Sequence, residues 1–116
     1  MSINEVNQAI TDYNTAIKFN PNYTLAYSNR GAAYAMLSEF DRAIVDLSEA
    51  IRLKPDYAIA YNNRGAVYNI KGEFDDAIQD LNEAIRLDPN YAEAYNNRGS
   101  DYTSKGEFDR AIDDFN

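Results

Sequence analysis

The chain contains no cysteine, no histidine and no tryptophan. Disulfides and thiol chemistry are therefore excluded, and zinc, copper and haem lose their usual sulfur and nitrogen ligands. Triads built on Ser–His or Cys–His are excluded for the same reason. Only chemistry carried by carboxylates alone is left. Basic residues are few, 11 Lys and Arg against 19 Asp and Glu, giving a net charge of −8 and a pI near 4.4. The imbalance is uneven: 7 acids and 5 bases precede Ala58, and 12 acids and 6 bases follow from there. Phosphate backbones demand basic patches, so neither nucleic acid nor an anionic membrane surface is expected as a partner. No segment approaches the roughly 20 apolar residues of a membrane span. The residues from Met1 to Ala9 have neither a basic start nor an apolar run, so no signal peptide is expected and a cytoplasmic location is.

What is present is periodic. Pro21, Pro55 and Pro89 step by 34 residues, as do Asn29-Arg30-Gly31, Asn63-Arg64-Gly65 and Asn97-Arg98-Gly99. Aligning 24–57 with 58–91 gives 21 identities in 34, and aligning 58–82 with 92–116 gives 17 in 25. A fixed period of this length is the signature of a repeat architecture, and 116 residues suit one small domain of it.

Within a period the apolar spacing is helical. Tyr61, Ala66 or Val67, and Tyr68 mark a first amphipathic helix, A. Phe74, Ala77, Ile78, Leu81, Ala84 and Ile85 mark a second, B. Lys71-Gly72 supplies a helix stop, and Glu73, Asp75 and Asp76 fall in the next first turn, where they complement the helix dipole. Asp88-Pro89-Asn90 closes helix B, and Asn90 with Glu93 predicts an N-cap and capping box for the following helix. No segment alternates with period 2, so no strands are expected.

An aromatic early in helix A, then Gly, Tyr, Ala and Pro at fixed offsets, resembles the tetratricopeptide repeat. In the second period these are Tyr61, Gly65, Tyr68, Phe74, Ala77, Ala84 and Pro89. The resemblance implies an all-α, right-handed superhelical solenoid of antiparallel helix pairs, seven helices in all, working as an interaction module. Arg30, Arg64 and Arg98 depart from it, standing where the family usually has leucine. The expected framing is a half repeat at 1–23 holding helix B only, repeats at 24–57 and 58–91, and a truncated repeat at 92–116.

The ten tyrosines and five phenylalanines all fall on repeat-equivalent positions. None is left over for a base-stacking platform, and packing is their expected role. Glu73, Asp75, Asp76 and Asp80 offer raw material for a divalent cation or for carboxylate-pair hydrolysis. They lie in a helix start rather than an irregular loop, and Glu39-Phe40-Asp41 and Glu107-Phe108-Asp109 repeat the pattern. A solvated helix N-terminus is the expectation, with no metal, no cofactor and no enzymatic activity. The sequon Asn22-Tyr23-Thr24 has no use without secretion.

Asparagine is a mediocre helix former because its amide competes for the backbone. Three such residues at one helix-A position, Asn29, Asn63 and Asn97, suggest a use for the side chain. They resemble the asparagine ladder that grips peptide backbone in the concave groove of O-linked N-acetylglucosamine transferases. The plain alternative is an exposed residue copied by duplication. For Arg30, Arg64 and Arg98 a partner is needed. The expectation is pairing across repeats, Asp12–Arg30, Asp46–Arg64 and Asp80–Arg98, which leaves Asp114 unused; pairing within a repeat is the alternative.

The expected function is a protein–protein interaction module holding a protein or peptide segment. The resemblance implies a groove lined in the first full repeat by Leu25, Ser28, Asn29, Ala32 and Met36. In the second the lining is Ile59, Asn62, Asn63, Ala66, Asn69 and Ile70, and in the third Glu93, Asn96, Asn97, Ser100 and Thr103. Family members that bind chaperone tails use a basic carboxylate clamp; here its positions hold Leu25, Ser28, Ile59 and Asn62, so that subtype is rejected. Two rival expectations are a scaffold that self-associates head to tail through its ends, in one version by exchange of a first helix, and a targeting segment of a larger enzyme.

Overall fold

The computed structural model describes residues 1–116, which form seven α-helices and no strands: α1 (Ile3–Phe19), α2 (Thr24–Met36), α3 (Phe40–Leu53), α4 (Ala58–Ile70), α5 (Phe74–Leu87), α6 (Ala92–Ser104) and α7 (Phe108–Phe115). They divide into two compact units, Met1–Pro55 with α1–α3 and Asp56–Asn116 with α4–α7.

In the first unit α2 and α3 pack as an antiparallel pair across a glycine. A Cβ on Gly31 would stand 2.9 Å from Leu47 Cγ and 3.1 Å from the Ala43 carbonyl oxygen, so only glycine allows this approach. Ala43, Leu47 and Ala50 are fully buried, and a buried leucine contributes about 2 kcal/mol relative to an exposed one. Helix α1 covers the other side of α2, where Val6, Ile10 and Ala33 form a core bordered by Tyr13, Tyr34 and Leu37. The second unit repeats the scheme. A Cβ on Gly65 would likewise stand 2.9 Å from Leu81 Cγ, and Leu81, Ala84 and Ala94 join α5 to α6 beside Tyr61, Ile85 and Tyr91. In the last pair Phe115 replaces the leucine and lays its ring over Gly99. Although α7 has only eight residues, Tyr95 and Tyr102 on α6 are half-buried rather than bare.

The turns follow the sequence signals at one end and depart from them at the other. Gly72 and Gly106 adopt φ of +78° and +79°, and the amide of Glu73 donates to the Tyr68 carbonyl at 2.9 Å, a left-handed helix stop. Ser38 occupies the equivalent position with φ +60°. The expected Asn90 cap is corrected: Tyr91 holds the cap position of α6 with no side-chain cap, as Tyr23 and Tyr57 do for α2 and α4. The Asn90 backbone N–H instead donates to Asp88 Oδ1 at 3.1 Å.

Candidate functional site

On an α-helix, positions i, i+4, i+7 and i+11 share a face. On α2 this stripe is Leu25, Asn29, Ala32 and Met36; on α4 it is Ile59, Asn63, Ala66 and Ile70; on α6 it is Glu93, Asn97, Ser100 and Ser104. The apolar ends are open, with Leu25 and Ile59 both 46% exposed, Met36 59% and Ile70 64%. The central amides and alanines are half-buried. The side-chain amides of Asn29 and Asn63 make no hydrogen bond within the chain, so their donors and acceptor are available. Asn97 donates from Nδ2 to Asn62 Oδ1 at 3.1 Å, which brings α4 and α6 side by side and leaves the Asn97 oxygen as an acceptor.

Two residues expected in the groove lining do not reach a surface: Ser28 is 1% and Asn62 0% exposed. Asn62 stands one residue off the stripe and turns toward α6, where it accepts from Asn97. Asn62 sits beside Tyr91, whose phenol is pushed up by burial, with the Asn62 amide partly opposing the shift. Asn96, the equivalent on α6, is exposed, as are Glu93 and Thr103; Asn69 and Ser100 are half-buried. Thr103 Oγ1 donates back to the Gly99 carbonyl at 2.9 Å, so its hydroxyl is already engaged.

The arginines pair within repeats, correcting the cross-repeat expectation. Arg30 reaches Asp46 with Nε and Nη2 both at 2.7 Å, Arg64 reaches Asp80 at 2.7 and 2.8 Å, and Arg98 reaches Asp114 at 2.8 and 2.6 Å. These hydrogen bonds to carboxylates hold all three guanidinium groups above their usual pKa. Asp12 instead accepts from Gln8 Nε2 at 3.1 Å. The link back to the preceding helix B uses a neutral amide: Arg30 Nη1 donates to Asn14 at 2.8 Å and Arg98 Nη1 to Asn82 at 2.9 Å. Arg30 lies 5.6 Å from the Tyr27 ring centre and 6.0 Å from that of Tyr34; Arg98 is 5.5 Å from Tyr95 and 5.9 Å from Tyr102. Tyrosine faces thus cover an arginine placed where the fold usually has leucine.

Of Asp75, Asp76 and Asp80 on α5, two are held by protein cations and Asp76 is exposed. Asp80 belongs to Arg64, and Asp75 accepts from Lys105 Nζ at 2.5 Å. One acid escaped the sequence analysis. Asp101 is fully buried, neither carboxylate oxygen has a hydrogen-bond partner, and burial pushes its pKa up to about 7. The signal was available in the repeat: Asp101 falls where the earlier periods have Ala33 and Val67.

The family profile described as tetratricopeptide repeat matches residues 58–91, and a second, described as TPR repeat, matches 1–38 and 37–69. The chain belongs to the tetratricopeptide-repeat family. Its all-α repeat solenoid is shared with solved structures. A crystal structure of MamA is 34% identical, with a TM-score of 0.88 over 95% of this chain and 64% of that one. The first tetratricopeptide domain of Spaghetti (RPAP3), bound to the HSP90 peptide SRMEEVD, is 27% identical, with a TM-score of 0.85 over 89% of this chain and 82% of that one. MamA 41-end from Desulfovibrio magneticus RS-1 shares the fold at 22% identity and a TM-score of 0.87, covering 97% of this chain and 63% of that one. The chain thus spans under two thirds of the MamA chains it matches. Among curated proteins none matches significantly. No helix is long and apolar enough to cross a membrane.

Proposed function

We propose that this tetratricopeptide segment holds an extended, apolar and uncharged or basic peptide segment of another protein along its helix-A stripes. The supporting observation is the half-buried amide at the centre of each stripe, flanked on α2 and α4 by exposed aliphatic side chains. An amide offers donors and an acceptor to a peptide backbone whatever the ligand's side chains are, and the aliphatic ends supply apolar contacts on either side. None of these stripes carries a lysine or arginine, and Glu93 adds a negative charge to that of α6. An acidic tail such as the one held by the Spaghetti domain finds no cation here.

Selection of a displayed random-peptide library against the chain tests this reading, with Asn63→Ala/Asn97→Ala as the comparison protein. Apolar sequences, neutral or basic, should be enriched, and the double variant should bind them more weakly while its melting temperature moves less. Enrichment of acidic C-terminal sequences, or equal binding by both proteins, would overturn it.

A second reading, self-association, draws on α7. Phe108 and Ile112 are 61% and 55% exposed, while their register equivalents Val6 and Ile10 are buried under α2. Light scattering across a wide concentration range decides it: a mass that grows with concentration supports association, and a constant monomer mass excludes it.

A further inference from the structure

The second unit contains a group that neither its packing nor the proposed groove uses. Asp101 lies in the middle of α6, is 0% exposed, and has no hydrogen-bond partner on either oxygen. In the first unit the equivalent residue, Ala33, packs directly on Val6 and Ile10 of the preceding helix. The 34-residue register puts Phe74 and Ile78 of α5 opposite Asp101, so the carboxyl stands in an apolar seam between consecutive repeats. An ionised carboxylate there gives up its hydration and receives nothing in return.

The cations around the seam are all committed elsewhere. On α6 itself, Arg98 is bound to Asp114 and Asn82, and Lys105 to Asp75. On and before α5, Asp80 is held by Arg64, Glu73 lies 3.7 Å from Lys71, and Asp76 is exposed. On and before α7, Glu107 lies 3.7 Å from Lys105 and 3.6 Å from Arg110, while Asp109 and Asp113 are exposed. From α4 come Arg64 and the Tyr68 phenol, the latter itself pushed up by burial. None of these groups bonds to Asp101, and no neighbouring charge acts on its titration; burial alone does.

We propose that Asp101 is a proton-operated latch, holding α6 and α7 firmly against α5 when the carboxyl is protonated and loosening them when it ionises. The sign follows from linkage. The carboxyl titrates near 7 in the folded chain and near 3.8 when released, so the folded form carries the extra proton between those values. Stability of the pair is therefore full below about pH 4, falls as the pH rises, and levels off above about 7. At neutrality about half of the folded chains carry the proton, and most of the proton-linked stability has by then been lost. The latch acts on the last helical pair only, because the equivalent residues Ala33 and Val67 cannot titrate. The proposal stands independently of what the helix-A stripes bind.

Amide hydrogen exchange, corrected for intrinsic rates and measured on the whole chain from pH 4 to 8, tests it, with Asp101→Asn as the non-titrating comparison. The ratio of opening constants, wild type over Asp101→Asn, should rise in α6 and α7 by about tenfold per pH unit across the window. The same ratio for α2 and α3 should stay flat. Taking the ratio cancels the acid sensitivity of the arginine pairs, which both proteins share. Asp101→Val, which restores the side chain found at Val67, serves as a second non-titrating variant should the asparagine protein fail to fold. A flat ratio throughout α6 and α7, or an Asp101 carboxyl signal titrating below about pH 5, would overturn the latch.

Discussion

Arg30 closes on Asp46, sixteen residues ahead on the partner helix of its own repeat, through two parallel bonds of 2.7 Å. The carboxylate is 5% exposed and the guanidinium 20%, so the pair is largely removed from water. Arg64–Asp80 and Arg98–Asp114 reproduce it. A planar guanidinium meeting a carboxylate edge to edge is the strongest geometry such a pair can adopt.

Breaking one such pair should cost more than replacing it. Asp80→Ala leaves Arg64 without its carboxylate and should destabilise by about 3 kcal/mol. Converting both members, Arg64→Leu with Asp80→Leu, restores the family's usual apolar residue on α4 and should recover most of that loss. Urea denaturation of the three proteins checks this. Equal losses in the single and double variants would show that the pair contributes net stability beyond mere satisfaction.

A glycine substitution should have opposite effects at two sites. Gly65→Ala gains about 1 kcal/mol in helix propensity, but its Cβ would stand 2.9 Å from Leu81 Cγ and 3.2 Å from the Ala77 carbonyl oxygen. Overpacking of this kind costs about 1–3 kcal/mol. Because the backbone oxygen cannot swing away, a net loss is expected in thermal denaturation. Ser38→Gly should instead stabilise, since Ser38 sits at φ +60° where the other repeats have glycine. The gain should be about 0.5–1 kcal/mol, the left-handed cost less the added freedom of the unfolded chain.

Asp101→Val should raise stability at pH 8. A carboxyl titrating near 7 in the folded chain and near 3.8 otherwise costs on the order of 4 kcal/mol once ionised, and valine removes that cost. The advantage should shrink steadily as the pH falls from 7 toward 4, and its charge-linked part vanishes only below that, where aspartic acid is neutral in both states. Melting temperatures of the two proteins at pH 5 and pH 8 give the comparison. An advantage that is the same at both values would mean that the charge is not its source.

The helices were legible because three independent signals coincide at all but one boundary: the period, the apolar spacing, and glycine or proline at the breaks, with Ser38 standing in for glycine between α2 and α3. The arginine partners were not. Asp46 lies 16 residues after Arg30 and 18 before Arg64, and a strict repeat preserves both separations equally, so only packing decides between them. The same limit applies to Asn62 and Asn63, adjacent identical residues of which the structure buries one and leaves the other half open. About 100° of helix rotation separates them, a difference that residue type cannot express. Asp101 is the opposite case. It broke a visible column of Ala33 and Val67, and the break was masked by the general acidity of the second half of the chain.

Because Arg30, Arg64 and Arg98 each find their aspartate inside their own repeat, these largely buried ion pairs stay matched whatever the number of repeats. Adding or removing one whole 34-residue period carries an arginine and its carboxylate together, and strands neither. Arg30, Arg98 and Lys105 reach across repeats to the amides of Asn14 and Asn82 and to the well-exposed carboxylate of Asp75, groups that water can serve when a neighbour is absent. A whole period can thus be added or removed without leaving one of these buried charges unpaired.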